Sequence, residues 1–244
     1  MLLSVENLRK TFSGTPVLHG IDLKVEKRDV IAIIGPSGSG KTTLLRCLNF
    51  LEKADGGRLT FAGETFDLAK ISRNNVLRIR KRTGFVFQNY NLFLNKTALE
   101  NITEGLIVGR GIKKELAQDK AHELLARFSL THRENAYPCE LSGGQQQRVA
   151  IARALAGDPD IIYFDEPTSA LDPELTRDVL SILKELAQQG LTMVVVTHEL
   201  TFAKNIANKV VFMEAGHVVE ARDAQTIFGN PKELRTKEFL ETLA

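Results

Sequence analysis

Gly35-Pro36-Ser37-Gly38-Ser39-Gly40-Lys41-Thr42 has the spacing G-x-x-x-x-G-K-[ST]. Glycines in such a loop let successive backbone N–H groups wrap a chain of phosphates. Lys41 would reach the β- and γ-phosphates, and the Thr42 hydroxyl would ligate Mg²⁺, with Thr43 next in the binding segment. The motif points to a nucleoside triphosphate and to nothing narrower; the plain alternative is a Gly/Ser turn. Its context fits the mechanism. Val30-Ile31-Ala32-Ile33-Ile34 reads as a fully buried strand before it, and Thr42–Leu51 as a helix after it.

Two carboxylates form a second constellation. Ile161-Ile162-Tyr163-Phe164 reads as a buried strand that ends in Asp165-Glu166. Open α/β sheets bind ligands at the C-terminal edge of their strands. Asp165 suits a Mg²⁺ shell, and Glu166 could polarise an attacking water; otherwise the pair is a solvated loop. His198 ends the strand Met193–Thr197 and could hydrogen-bond a γ-phosphate at the same edge. Gln88 ends Phe85-Val86-Phe87 and says little alone. Phe12 could stack a base from the turn Lys10–Gly14, or plug a hydrophobic gap. Asp172 is a good N-cap before Pro173, whatever else it does.

A third stretch poses a puzzle. Leu141-Ser142-Gly143-Gly144-Gln145-Gln146-Gln147-Arg148 opens a helix expected over Gln145–Ala156. Ser142 with Gln145 three residues on makes a capping box. The box leaves two glycines unexplained, each costing about 1 kcal/mol in a helix relative to Ala. Bare N–H groups that approach an anion would explain them.

These groups need a scaffold. Residues 2–8 and 17–25 alternate as half-buried antiparallel strands, with Gly57–Ala62 and Gly84–Gln88 as further short ones. From about Asn91 to Asp158 the texture is helical. One helix, Glu115–Phe128, is expected to bury Leu116, Ala121, Leu124, Leu125 and Phe128. Leu175, Val179, Ile182, Leu183 and Leu186 form the stripe of another. Val210–Met213 and His217–Val219 read as a hairpin split at Ala215-Gly216. Strands alternating with helices argue an α/β fold with a parallel sheet, in one domain over residues 1–244 with a helical insertion at about 91–158.

The totals exclude several classes. There are 32 basic and 30 acidic residues, so net charge is +2 and a dedicated nucleic-acid binder is disfavoured. Cys47 and Cys139 lie in no metal-type spacing, which suits reduced thiols in a reducing compartment. No apolar run approaches the roughly 20 residues of a membrane span. Work at a membrane would need another chain to cross it. Arg73, Arg78, Arg80, Lys81 and Arg82 read as a solvated face, or as a contact for anionic lipid or an acidic loop.

The order of phosphate loop, Gln88, Leu141–Arg148, Asp165-Glu166, Ser169–Asp172 and His198 resembles the nucleotide-binding subunit of ABC transporters over nearly the whole chain. That resemblance implies a RecA-like P-loop core, an antiparallel β-subdomain and an inserted helical subdomain. It implies an ATPase using ATP and Mg²⁺, with Phe12 on the adenine and Gln88 linking Mg²⁺ and γ-phosphate to the membrane subunit. Glu166 looks like the catalytic glutamate, Asp172 the D-loop aspartate and His198 the switch histidine. Ser142, Gly143, Gly144 and Gln145 belong to the signature that binds the γ-phosphate held by the opposite subunit. Arg46–Glu52, Phe85–Phe93, Tyr137-Pro138 and His198-Glu199 are similar to the polar amino acid uptake group. Phe12 replaces the commoner Tyr there, and Asn95-Lys96 stands where a Pro-containing pair is usual. The implied partners are a second copy, two transmembrane permease subunits and, indirectly, a solute-binding protein; the implied place is the cytoplasmic face of the cell membrane, as a peripheral subunit. Two rivals stand beside this reading: a membrane-remodelling or lipoprotein-extracting ABC subunit, which shares every catalytic motif, and a soluble nucleic-acid-acting or scaffold ABC protein.

Overall fold

The computed structural model describes residues 1–242. The strand β1 (Leu3–Phe12) turns at Ser13-Gly14 into β2 (Thr15–Val25), and β3 (Val30–Ile34) leads through the glycine loop into α1 (Lys41–Leu48). Next come β4 (Gly56–Phe61), β5 (Glu64–Asp67), α2 (Arg73–Arg80) and β6 (Thr83–Val86). The helices α3 (Ala98–Arg110), α4 (Lys114–Arg127) and α5 (Gly143–Leu155) precede β7 (Ile161–Asp165) and α6 (Pro173–Gln188). The remaining elements are β8 (Met193–Val196), α7 (Leu200–Asn205), β9 (Lys209–Glu214), β10 (His217–Asp223), α8 (Ala224–Gly229) and α9 (Leu234–Glu241). The alternation is that of an α/β protein, as expected. Chain contacts divide it into two compact units, Met1–Arg80 with Leu186–Ala244, and Lys81–Glu185.

In the first unit an antiparallel sheet runs in the order β2-β1-β4-β5. Beside it in sequence, β3 pairs in parallel with both β8 and β9. All five residues of β3 are buried, because a parallel strand is covered on both faces. The β1–β2 and β9–β10 turns each place two residues at positive φ (Ser13 49° and Gly14 84°; Ala215 46° and Gly216 76°). That is the primed turn whose twist suits a two-residue hairpin. The helix after the glycine loop stops at Leu48, short of the expected Leu51. Phe50 takes a left-handed φ of 56°, and the Phe50 and Leu51 N–H groups turn back to the Cys47 and Arg46 carbonyls. This is a Schellman stop built on Phe rather than Gly. Arg73, Arg78 and Arg80 of the basic stretch lie in α2, in which Ile79 is the buried residue and Arg78 pairs with Glu64.

In the second unit β6 and β7 pair in parallel, Val86 opposite Phe164. The buried stripe of α4 is Ala117, Ala121, Leu124 and Leu125. Leu116, expected inside, is 60% exposed. It stands five residues before Ala121, about 140° away around the helix, whereas Ala117 stands at the i−4 position. The signature helix α5 begins at Gly143, two residues before the expected start, so both glycines are helical.

Candidate active site

The first unit holds the phosphate loop. Ile33 of β3 lies opposite Val196 of β8, so the strands end level. Gly35 follows one strand and His198 the other, and the Thr197 N–H donates to the Ile33 carbonyl at 3.2 Å. His198 is exposed at this edge. Gly35 has φ 143°, and a Cβ there would lie 2.0 Å from the Met213 carbonyl oxygen, so the position demands glycine. Ser37 and Gly38 are exposed at the tip of the loop, Pro36 half-buried, and Ser39 and Gly40 buried. Gly40 is the left-handed N-cap of α1 and gives it no side-chain cap. A helix N-terminus favours an anion. Lys41 is buried, and its Nζ donates to the Gly35 (2.9 Å) and Pro36 (2.8 Å) carbonyls. The loop's own oxygens thus hold the ammonium within the cradle. Ser39 Oγ is buried with no hydrogen-bond partner. Thr42 and Thr43 are half-buried on the first turn of α1. A helix start without a side-chain cap, a captive ammonium and an orphaned Ser39 hydroxyl fit a polyphosphate.

The second unit holds the acids. Because Val86 and Phe164 are paired, the residues two further along, Gln88 and Glu166, leave adjacent strands at the same height. Gln88 Nε2 donates to Glu166 Oε2 at 3.2 Å. Asp165 is the last residue of β7 and is 1% exposed. Glu166 adopts a left-handed φ of 47°, and its carbonyl accepts from the Ser169 N–H (3.3 Å) and hydroxyl (3.1 Å). Among the described residues no group of three or more His, Cys, Asp or Glu could hold a metal alone. A single carboxylate such as Asp165 fits Mg²⁺, which takes one or two protein oxygens and completes its shell from phosphates and water. Asp172 caps α6, with Oδ1 accepting from the Glu174 (3.0 Å) and Leu175 (2.9 Å) N–H groups.

The signature lies in the same unit. Ser142 Oγ accepts from the Gln145 N–H (3.3 Å), and Gln145 Oε1 accepts from the Ser142 N–H (3.0 Å). The expected capping box is present. The glycines have a local reason as well. A Cβ on Gly143 would lie 2.9 Å from the Tyr90 hydroxyl, and one on Gly144 2.8 Å from a Leu175 methyl. Gly144 is buried against Leu175, so Ser142, Gly143 and Gln145 form the accessible part of this helix start.

The roles of two residues, Arg153 and Lys10, escaped the sequence reading. Arg153 Nη1 and Nη2 donate to the Asn91 (2.7 Å) and Tyr90 (2.8 Å) carbonyls. Burial pushes its pKa down to about 10. It joins the signature helix to the segment after Gln88, which Tyr90 also joins at Gly143. Arg153 falls on the polar side of a helical pattern and carries no motif, so only contacts reveal it. Lys10 lies over Phe12, and an alternating strand pattern that puts residues i and i+2 on one face was its available signal.

Residues 18–169 match the family model described as ABC transporter. The chain is 52% identical to the L-cystine transport system ATP-binding protein TcyN of Escherichia coli (strain K12), over 98% of this chain and 97% of that one. It is 48% identical to the arginine transport ATP-binding protein ArtM of Bacillus subtilis (strain 168), over 99% and 100%. The solved dimeric structure of a post-hydrolysis state of the ATP-binding cassette MJ0796, bound to ADP and Pi, is 35% identical and aligns with a TM-score of 0.81 over 91% of this chain and 99% of that one. With relatives matched along their whole length and a family match spanning the phosphate loop, the signature and the paired acids, the chain belongs to the ABC transporter family as an ATP-binding subunit that hydrolyses ATP with Mg²⁺.

Proposed function

We propose that this chain powers import of a polar amino acid, hydrolysing ATP as a head-to-tail pair with a second copy. Two membrane-spanning permease subunits carry the solute, and a solute-binding protein delivers it to them. The chain itself sits peripherally on the cytoplasmic face of the membrane; among its described residues no helix is long and apolar enough to cross one. Both compact units together make one nucleotide-binding domain over residues 1–244.

Each residue then has a task. The amides of Gly35–Thr43 and the Lys41 ammonium receive the triphosphate, and Phe12 stacks on the adenine. Thr42, Asp165 and Gln88 would hold Mg²⁺, which would supply neutralising positive charge to the triphosphate. Glu166 accepts a proton from the attacking water, a step worth about 10²–10⁴ in rate. Gln88, bonded to Glu166, and His198 report the γ-phosphate. Ser142, Gly143, Gly144 and Gln145 cover the triphosphate held by the opposite copy, and Asp172 lies at the pair's interface. ATP can drive the permease only by binding the closed pair better than the open one.

The observation that carries this reading is one chain holding both an uncapped phosphate helix and a second, glycine-opened helix N-terminus. The relatives carry the amino-acid assignment, and they differ in the solute their names print, L-cystine in one and arginine in the other. The solute class is tested by reconstituting the chain with its permease subunits in vesicles. ATP hydrolysis should rise with one amino acid and its receptor present. Hydrolysis indifferent to every amino acid, but stimulated by a lipoprotein, would favour the extraction rival.

A further inference from the structure

β1 ends on Lys10, Thr11 and Phe12. Residues two apart on a strand share a face. Accordingly the Lys10 ammonium lies over the Phe12 ring, 4.5 Å from its centroid. A cation at that distance is attracted by the negative face of the ring. The ammonium is also anchored from behind. Nζ donates to the Lys53 carbonyl at 2.9 Å and pairs with Glu52 at 2.7 Å. Lys10 is buried at 7% exposure, whereas Phe12 is 40% exposed. The ring therefore presents one side to a fixed charge and keeps open surface elsewhere.

The anchors come from an informative place. Glu52 and Lys53 lie just beyond α1, whose first residue is Lys41 of the phosphate loop. The same segment grips the strand backbone: the Asp55 N–H donates to the Arg9 carbonyl (2.8 Å), and the Thr11 N–H to Asp55 Oδ2 (2.6 Å). The β1–β2 register shifts between Lys10 and Thr11, so the end of β1 follows this segment as well as its sheet neighbour. One end of α1 opens on the phosphate loop, and the chain leaving its other end holds the aromatic ring.

We propose that Lys10 is the positioning residue of a base-stacking platform: anchored by Glu52 and the Lys53 carbonyl, it holds one face of Phe12 so that the other receives adenine at a set distance from the phosphate loop. This rests on the reading of Phe12 as the base-stacking residue. Lys10 touches neither base nor phosphate; two of its three N–H donors are already taken by Glu52 and Lys53.

The test compares two ligands on the full chain by calorimetry, Mg·ATP and Mg·tripolyphosphate, which lacks a base. Lys10→Met should weaken ATP binding by about three- to tenfold, the range of a partly desolvated cation–π contact, and leave tripolyphosphate binding unchanged. Lys10→Arg, which keeps a cation over the ring, should restore most of the ATP affinity. Lys10→Met with Glu52→Gln removes the lone carboxylate left behind and should show the same selective loss, which separates positioning from misfolding. In a Phe12→Ala background Lys10→Met should add nothing. Equal weakening of both ligands, no weakening of either, or an undiminished loss without Phe12 would each overturn the platform. A Phe12→Ala variant that binds ATP normally would instead sink the stacking assignment, and the platform with it.

Discussion

Glu166 carries its carboxylate on a backbone turned into the left-handed region, at φ 47°. For a residue with a Cβ that conformation costs about 1–2 kcal/mol. The Ser169 N–H and hydroxyl, both bonded to the Glu166 carbonyl, offset part of it. The turn brings the side chain off the end of β7 into contact with Gln88. Strain at a residue proposed as the general base predicts a separation of stability from activity. Glu166→Gln should bind Mg·ATP, lose about 10² or more in turnover and melt like the wild type. Glu166→Gly should be equally slow but melt about 2–4 °C higher, since glycine adopts this φ freely. Scanning calorimetry beside a phosphate-release assay checks both. A glycine variant that melts no higher would show that the turn stores no strain.

At the scale of elements, the functional groups are fixed by ties between segments distant in sequence. Arg153 of α5 bonds the carbonyls of Tyr90 and Asn91, two successive residues with left-handed φ (59° and 48°). Its planar guanidinium presents the two Nη donors in a fixed fork, an orientation that a lysine ammonium on its flexible stem does not fix. Arg153→Lys should therefore cost about 2 kcal/mol and raise amide exchange in residues 88–93, read by mass spectrometry; exchange confined to α5 would show that the fork does not hold this segment. A second tie gathers the starts of three parallel strands. Asp29, just before β3, accepts from Lys209 (2.6 Å), Asn208 (2.9 Å) and the Glu26 N–H (2.7 Å), while its carbonyl receives the Met193 N–H. Burial raises the Asp29 pKa, but these donors outweigh it and hold the carboxyl below the ordinary range. A depressed folded pKa contributes stability above the unfolded value, about 3.9, that is lost as pH falls through the folded one. Asp29→Asn should melt lower near neutrality yet decline less between about pH 5 and pH 3. Parallel acid limbs in the two proteins would remove Asp29 from the account. These ties also mark where the sequence stops being legible. The phosphate loop, the acid-tipped strand and the capping box are local patterns of spacing, and each was readable. The end of α1 was not, because its left-handed cap is Phe50 where glycine is the usual signal. Nor was α2, whose apolar side is little more than Val76 and Ile79 among arginines. Arg153 acts on residues more than sixty positions away, which no periodicity reports.

At the scale of the whole molecule, the chain is an ATP-binding subunit of the ABC transporter family and works with partners. One partner is a second copy of itself. The signature start at Ser142 is exposed, and Ser142 and Gln145 cap each other. In a head-to-tail pair each site combines the phosphate loop of one copy with the signature of the other. Arrangement in trans has a consequence that arrangement in cis lacks. A pair formed from one Ser142→Arg chain and one Lys41→Ala chain concentrates both lesions in a single site and leaves the other whole. Each variant alone should be inactive, because in its own symmetric pair both sites are broken. Mixed in equal amounts, the two should regain roughly a quarter of the wild-type rate, as half the pairs are mixed and each keeps one of two sites. If signature and phosphate loop served the same copy, every site in every pair would carry a lesion, and mixing would recover nothing. The rate of the mixture, measured against the two inactive parents, decides whether the glycine-opened helix works for its own chain or for its neighbour.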